Sequence, residues 1–143
     1  MRSSPFQWTM AYELRMPELN AEHRALFKMA ETLDLAVAAG EDSSRVNAML
    51  REFIACAADH FSHEERLMRD TGCPSYAWHK LQHETATARV ANLERRSERG
   101  DRDAIPLVLE FLGDFMKGHI GLSDRMMVAY LQNHQRALAA RVA

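Results

Sequence analysis

Residues that interrupt helices are scarce in this sequence. Its 143 residues include only four prolines and six glycines, and no segment alternates apolar and polar residues with a period of two. That alternation is typical of a strand with one buried face, and proline and glycine mark turns between strands. Their scarcity argues against a β-rich fold. We therefore predict an all-α chain that forms one domain over residues 1–143.

Cysteine is equally rare. Cys56 and Cys73 are the two cysteines of the chain, and their spacing is not that of a C-x-x-C redox or zinc motif. We interpret them as packing residues with reduced thiols. The first ten residues, MRSSPFQWTM, contain neither the apolar run nor the cleavage site of a signal peptide. Both observations lead us to expect a cytoplasmic protein.

The sequence also lacks long apolar runs and an excess of charge of one sign. Its longest apolar runs are far shorter than a membrane-spanning helix requires. It has 18 basic and 20 acidic residues, for a net charge of −2. This balance leaves no excess of basic residues to attract phosphate backbones or anionic lipids. We therefore expect no nucleic-acid partner and no membrane insertion.

Hydrophobic residues are abundant, at 47% of the chain, and recur every three or four residues in four segments. That spacing is typical of amphipathic helices, and four helices of similar length with short loops predict an up-down-up-down bundle. We predict helix A from near Asn20, as its N-cap, to Gly40, and helix B from just after Asp42–Ser44 to Thr71. Helix C is predicted from about Ser75 into the charged stretch Glu94–Asp103, and helix D from near Asp103 with Pro106 in its first turn.

Two further segments flank the predicted bundle, which covers residues 19–122. The first, residues 1–18, is an N-terminal arm that carries Phe6, Trp8 and Tyr12. Aromatic side chains bury large areas, so we expect the arm to pack onto the bundle. The second, residues 123–143, is predicted to be a short C-terminal helix.

Histidines occur on the apolar face of every predicted bundle helix. Residues four apart share a helix face, and by this rule helix B adds a carboxylate one turn after its histidine. Burying these groups without partners would destabilise the fold by several kcal/mol each. A metal centre would satisfy them all, and imidazole with carboxylate suits iron, manganese or zinc. The residues concerned are His23, His60, Glu64, His79, His83 and His119.

Asp124 is a further candidate ligand, although it follows His119 by five residues. In a regular α-helix that spacing turns the two side chains about 140° apart. Gly118 and Gly121 flank the motif and could let the backbone bend. We therefore predict a local break of helix D between His119 and Asp124 that brings Asp124 to the centre. The alternative interpretation is that Asp124 caps the C-terminal helix.

Other polar residues near these motifs admit simpler interpretations. The five histidines themselves could be ordinary surface residues, although their convergence on one core argues against it. His63 and His134 are predicted to be surface histidines. Glu65 is expected either to face solvent or to contact one of the metal-binding residues without binding a metal itself.

The number of ligands suggests a function. If both carboxylates and an oxygen bridge two metals, five histidines divide three and two. One metal then has six ligands, and the other has five and a vacant position, which suits the binding of one small molecule. We expect an apolar pocket beside it, lined by Phe27, Phe61, Met116 and Ile120.

Five motifs together resemble the hemerythrin family, in particular its single-domain bacterial members. They cover nearly the whole chain, in the order and at the spacings typical of the family. The motifs are Phe6-x-Trp8, Glu22-His23-x-x-Leu26-Phe27, His60-Phe61-x-His63-Glu64-Glu65, His79-x-x-x-His83 and His119-Ile120-x-x-x-Asp124.

The resemblance implies a cofactor of two iron ions per chain, joined by an oxo or hydroxo bridge. It implies that His79, His83 and His119 bind the closed iron and that His23 and His60 bind the open one. Glu64 and Asp124 would bridge the two irons.

The function that the resemblance implies is reversible dioxygen binding for storage, transport or delivery, by a protein that we expect to be a monomer. The alternatives are an oxygen or redox sensor, an enzyme that handles peroxide or nitric oxide, and a buffer of iron or oxidative stress. We expect a carrier rather than an enzyme because the centre has few anionic ligands.

Several residues depart from the family's usual pattern. Glu22 stands where glutamine is frequent, and Phe115 stands where tryptophan is common. None of the departures is expected to touch a ligand, although several are expected to line the pocket. The departing residues are Asn20, Glu22, Cys73, Phe115, Met116 and Met127.

Overall fold

A computed structural model describes residues 4–142 of the chain, and within that range it contains helices and no strand. The predicted all-α bundle with an arm and a C-terminal extension is confirmed. After a 3-10 turn at Met10–Tyr12, the elements are α1 (Pro17–Ala38), α2 (Ser43–Thr71), α3 (Tyr76–Glu98), α4 (Ala104–Gly118), a π-helical segment (His119–Asp124) and α5 (Arg125–Val142).

Short connections make neighbouring helices antiparallel. Helix α1 packs on α2, α2 on α3, and α3 on α4, and α1 also contacts α4. Gly40 and Gly72, in the first two connections, have φ values of +71° and +69°. Only glycine adopts these left-handed conformations without strain, so both glycines allow the chain to reverse at a helix end. None of the helices within residues 4–142 is long and apolar enough to cross a membrane.

Helix α1 begins at Pro17, so the prediction that Asn20 is its N-cap is wrong. Proline is well suited to the first turn of a helix because the amide it lacks would have no partner there. Asn20 lies inside the helix and binds the arm. Its Oδ1 accepts a hydrogen bond from the Leu14 amide at 2.8 Å, and its Nδ2 donates to the Leu14 carbonyl at 2.6 Å.

The described part of the arm packs onto the bundle, as predicted. Phe6 is buried in the core. The ring of Trp8 lies 5.6 Å from that of Phe27 and 5.8 Å from that of Tyr12. The guanidinium of Arg125 donates a hydrogen bond to the Ala11 carbonyl at 2.9 Å. The arm therefore contacts both α1 and α5.

Two apolar clusters form the core. The larger contains Leu33, Leu50 and Val108, and the smaller contains Leu19 and Met68. On each bundle helix, residues of the larger cluster lie toward one end of the predicted ligands. Residues of the smaller cluster, or side chains packed against it, lie toward the other end. The polar residues are thus enclosed by packed side chains on both sides, which keeps solvent from them.

The predicted break of helix D is wrong, but its predicted consequence is right. The backbone remains helical from α4 through the π-helical segment into α5. Gly118 and Arg125, at the two ends of that segment, both have right-handed helical dihedral angles. A π-helical turn pairs residues five apart rather than four. It therefore places Asp124 on the same side as His119 without ending the helix.

Candidate metal centre

The structure brings all seven predicted ligands into one buried cluster. Each has no more than 6% of its surface exposed. They come from α1, α2, α3 and the π-helical segment, and all project between the two apolar clusters. The residues are His23, His60, Glu64, His79, His83, His119 and Asp124.

Glu64 divides its two carboxylate oxygens between two pairs of histidines. Its Oε2 lies 3.3 Å from the Nε2 of His23 and 3.0 Å from the Nε2 of His60. Its Oε1 lies 3.2 Å from the Nε2 of His79 and 3.1 Å from the Nε2 of His83. One carboxylate thus faces two separate sets of imidazoles.

Asp124 divides its oxygens in the same way. Its Oδ2 lies 3.1 Å from the Nε2 of His23, whereas its Oδ1 lies 3.0 Å from the Nε2 atoms of His79 and His119. The cluster therefore consists of two groups that share both carboxylates. The four-residue group contains His23 and His60, and the five-residue group contains His79, His83 and His119.

The arrangement of these donors fits a pair of metal ions. The Nε2 of His119 lies 3.0 Å from that of His83 and 3.1 Å from that of His79. Both oxygens of Asp124 are buried, and among the described residues their contacts with imidazole nitrogens do not have hydrogen-bond geometry. Convergent lone pairs of this kind repel one another unless protons or metal ions lie between them. Nitrogen and oxygen donors suit iron, manganese or zinc.

The two cysteines lie outside both groups. Cys56 is half-buried and Cys73 is buried, and both are free thiols. Cys73 packs in the smaller apolar cluster. The donor set therefore contains no thiolate, unlike that of most structural zinc sites.

The charges of the cluster reinforce one another. Burial alone would lower the pKa of His23 and His79, but contacts with Asp124 and Glu64 raise the pKa of each to about 9. Burial would likewise raise the pKa of Glu64, yet its contacts with four histidines hold that pKa well below 4.5. The carboxylates are therefore anionic, and they attract protons or metal ions to the imidazoles.

Other polar residues hold three of the imidazoles from outside. The Nδ1 of His60 lies 2.7 Å from Glu22 Oε1, and the Nδ1 of His83 lies 2.9 Å from Glu65 Oε2. The Nδ1 of His119 lies 2.9 Å from Gln82 Oε1. Such contacts fix which ring nitrogen carries the proton and leave the other free for a metal.

These contacts correct two predictions and decide a third. His63 is more enclosed than the predicted surface histidine, because 22% of its side chain is exposed and its Nδ1 lies 2.7 Å from Glu22 Oε2. Glu22 and Phe115 both touch predicted ligands, contrary to expectation. The ring of Phe115 stacks on that of His119 at 4.8 Å. Glu65 contacts the predicted ligand His83, in agreement with one of its two interpretations.

Sequence reasoning missed Gln82 and Ser123. Gln82 accepts hydrogen bonds from His119 and, at 2.6 Å, from the hydroxyl of Ser123. It lies directly before His83 in α3, off the apolar face that carries His79 and His83. Its position could have indicated this role, because Gln82 follows His79 by three residues, which places the two side chains about one helical turn apart on neighbouring positions.

An apolar cavity of about 60 Å³ reaches the cluster. His23 and His60 of the four-residue group line it, as do the shared Asp124 and one histidine of the five-residue group, His119, whereas His79 and His83 do not. The cavity is large enough for a small molecule, since one water needs ~10–15 Å³ by the same measure. It therefore borders both histidines of the four-residue group but only one of the three histidines of the five-residue group.

Three of the four expected pocket residues line this cavity. They are Phe61, Met116 and Ile120, and Phe27 is not among the lining residues. The ring of Phe27 packs instead against those of Trp8 and Tyr12. Residues that were not expected there complete the lining, among them Leu26, Phe53, Ala57, Ala86 and Leu112.

The fold and the site define a helical-bundle protein with a buried cluster of imidazoles and carboxylates that is able to bind metal ions. The family model described as hemerythrin HHE cation binding domain matches residues 16–131, which is most of the chain. The chain therefore belongs to the hemerythrin family, as its motifs suggested.

Several relatives align along most of their length. A bacteriohemerythrin from Ralstonia nicotianae is 30% identical over 125 residues, which cover 87% of this chain and 88% of the relative. A bacteriohemerythrin from Methylococcus capsulatus is 25% identical over 83% of this chain and 91% of the relative. A myohemerythrin from Theromyzon tessulatum is 26% identical over 80% of this chain and 87% of the relative.

Proposed function

We propose that this protein binds dioxygen reversibly at a non-haem di-iron centre. In this proposal, His79, His83 and His119 hold one iron, and His23 and His60 hold the other. Glu64 and Asp124 bridge the pair, because each directs one oxygen to each group. Iron bound there would supply redox chemistry and an open coordination position for a small ligand.

The observation that carries the proposal is the position of the cavity. It borders both histidines of the four-residue group and only His119 of the five-residue group, and the proposed iron of the four-residue group has one protein ligand fewer than its neighbour. A neutral diatomic molecule can cross an apolar lining without losing favourable hydration, whereas a charged molecule cannot. The protein therefore favours a small uncharged ligand at the iron held by His23 and His60.

The lining also favours binding over turnover. Apart from the proposed ligands, Thr87 is the one polar residue among those that line the cavity. An enzyme that cleaves the bond between two oxygen atoms needs a group that delivers protons near the reacting atoms. Thr87 is a weak acid, so the cavity offers little help to such a reaction.

A monomeric state and a cytoplasmic location stay predictions from the sequence.

One contact favours oxygen sensing as a second candidate function. Arg125 directly follows Asp124 and holds the Ala11 carbonyl of the arm. A change at Asp124 on ligand binding could therefore displace the arm. The test is fluorescence of Trp8 in a Trp78→Phe background as air is admitted to the iron-loaded protein. A change that reverses on degassing favours a sensor, and constant emission favours a carrier.

The test of the main proposal is to load the protein with ferrous iron without air, count the iron and record visible spectra through cycles of air and degassing. The proposal predicts two irons per chain and a visible band that appears in air and disappears on degassing. Two irons that oxidise irreversibly in one exposure would favour an enzyme or a sensor. Far less iron would contradict the di-iron centre.

A further inference from the structure

We infer that Glu22 is a positioning residue that sets the reduction potential of the iron held by His60, and that His63 moderates its effect. This inference rests on the proposed di-iron function. Glu22 lies in α1, directly before His23, and its side chain is 32% exposed. It is not a ligand, because its two carboxylate oxygens are both engaged by other side chains.

The geometry ties one carboxylate to two imidazoles of α2. Glu22 Oε1 lies 2.7 Å from the Nδ1 of His60, and Glu22 Oε2 lies 2.7 Å from the Nδ1 of His63. His60 is buried, and its Nε2 points into the cluster, 3.0 Å from Glu64 Oε2. His60 therefore donates its Nδ1 proton to Glu22 and keeps its Nε2 lone pair for a metal.

A carboxylate acceptor makes the imidazole a stronger donor to the metal than a neutral acceptor does. A stronger donor stabilises ferric iron more than ferrous iron, because ferric iron carries the higher charge. Glu22 should therefore lower the reduction potential at His60. His119 provides the contrast, because it donates to the neutral amide oxygen of Gln82, whereas His83 contacts the carboxylate of Glu65 much as His60 contacts that of Glu22.

His63 forms a hydrogen bond with the same carboxylate. Its hydrogen bond to Oε2 withdraws part of the negative charge that Glu22 would otherwise direct to His60. Removing His63 should therefore strengthen the effect of Glu22, whereas removing the charge of Glu22 should abolish it. The two substitutions are expected to shift the potential in opposite directions, which a purely structural role of Glu22 would not produce.

The test compares iron-loaded wild-type protein with Glu22→Gln, His63→Ala and the control Glu18→Gln. Glu18 lies one turn earlier on the same helix and is exposed. The readouts are iron per chain and the reduction potential from spectroelectrochemical titration. Glutamine at position 22 can still accept the proton of His60, so the geometry is retained while the charge is lost.

We expect Glu22→Gln to keep two irons and to favour the ferrous state about tenfold more than the wild type, which corresponds to ~59 mV for one electron. His63→Ala should shift the potential the other way, and Glu18→Gln should match the wild type. A loaded Glu22→Gln protein with the potential of Glu18→Gln would overturn the inference. If Glu22→Gln does not hold iron, His63→Ala decides, and an unchanged potential there overturns it.

The same experiment separates this inference from the proposed function. A wild-type protein that does not hold two irons contradicts the di-iron function, and the inference falls with it. If the wild type holds two irons and releases dioxygen, but the wild type and the variants all have the same reduction potential, only the role assigned to Glu22 and His63 is contradicted.

Discussion

His119 and Asp124 are five residues apart, and yet the Nε2 of His119 lies 3.0 Å from Asp124 Oδ1. The π-helical segment makes this possible, because it adds a residue to one turn without ending the helix. Turns of this kind are rare and frequently occur at functional sites. Here the turn supplies the second of the two carboxylates that both histidine groups share.

Replacing Asp124 with Asn should reduce the iron content below two per chain. Asp124 faces both groups, so loss of its charge weakens both proposed metal positions. The measurement is iron per chain after anaerobic loading. Asp114→Asn is the matched control, since Asp114 is an exposed residue of α4. Full loading of the Asp124→Asn protein would show that Asp124 is not a ligand.

Replacing His60 and replacing His63, both in α2, should have different effects on the iron content per chain. His60→Ala is expected to lose the iron of the four-residue group, because that group then keeps only one imidazole. His63→Ala is expected to keep both irons, because its side chain contacts Glu22 and belongs to neither group. Iron lost from the His63→Ala protein, with His60→Ala fully loaded, would reverse the assignment.

The metal-free protein should lose stability as the pH rises from 6.5 to 9. The pKa of His23 and that of His79 are raised from 6.5 to about 9 in the folded protein, against the effect of burial, by Asp124 and Glu64. Folding therefore favours their protonated forms. Their contribution to the free energy of unfolding is complete below pH 6.5 and is lost as the pH passes 9.

Urea unfolding of metal-free protein at several pH values measures this effect. His79→Gln removes one of the two groups, so its stability should decline less over the same interval. Metal loading should act in the opposite sense, because the imidazoles release their protons on binding and affinity increases with pH. Stability of the metal-free protein that increases between pH 6.5 and 9 would rule out the proton-rich cluster.

Filling the cavity should slow dioxygen binding without removing iron. Ala86 lines the cavity, and Ala86→Leu would place a larger side chain there, at a cost of about 1–3 kcal/mol in stability. Stopped-flow mixing of the iron-loaded protein with dioxygen measures the association rate. Ala88→Leu, at an exposed position of the same helix, is the control. Equal rates in the two variants would mean that dioxygen reaches the iron by another path.

The helices and the imidazole cluster could be predicted from the sequence because both depend on local periodicity. Residues on one face of each helix meet in the core of a bundle, so His23, His60 and His83 had to lie close together once the fold was assumed. The start of α1 at Pro17 was missed because boundaries depend on capping, and Asn is a good capping residue in general.

Features that depend on tertiary contacts could not be predicted in this way. The choice between a break and a π-helical turn near Gly121 is decided by packing at both ends of the segment. Phe27 is apolar and close to His23, but whether it faces the cavity or the arm depends on where Trp8 lies. The contact of Glu22 with His63 joins two residues that are off the apolar faces of their helices.

The most direct test of the central claim is the dioxygen balance of the iron-loaded protein, measured with an oxygen electrode. Reversible binding at one open iron predicts uptake of one dioxygen per two irons on aeration and its return on degassing, over repeated cycles. Uptake that is not returned, or that continues beyond this ratio, would contradict the proposed function and indicate that the centre consumes dioxygen.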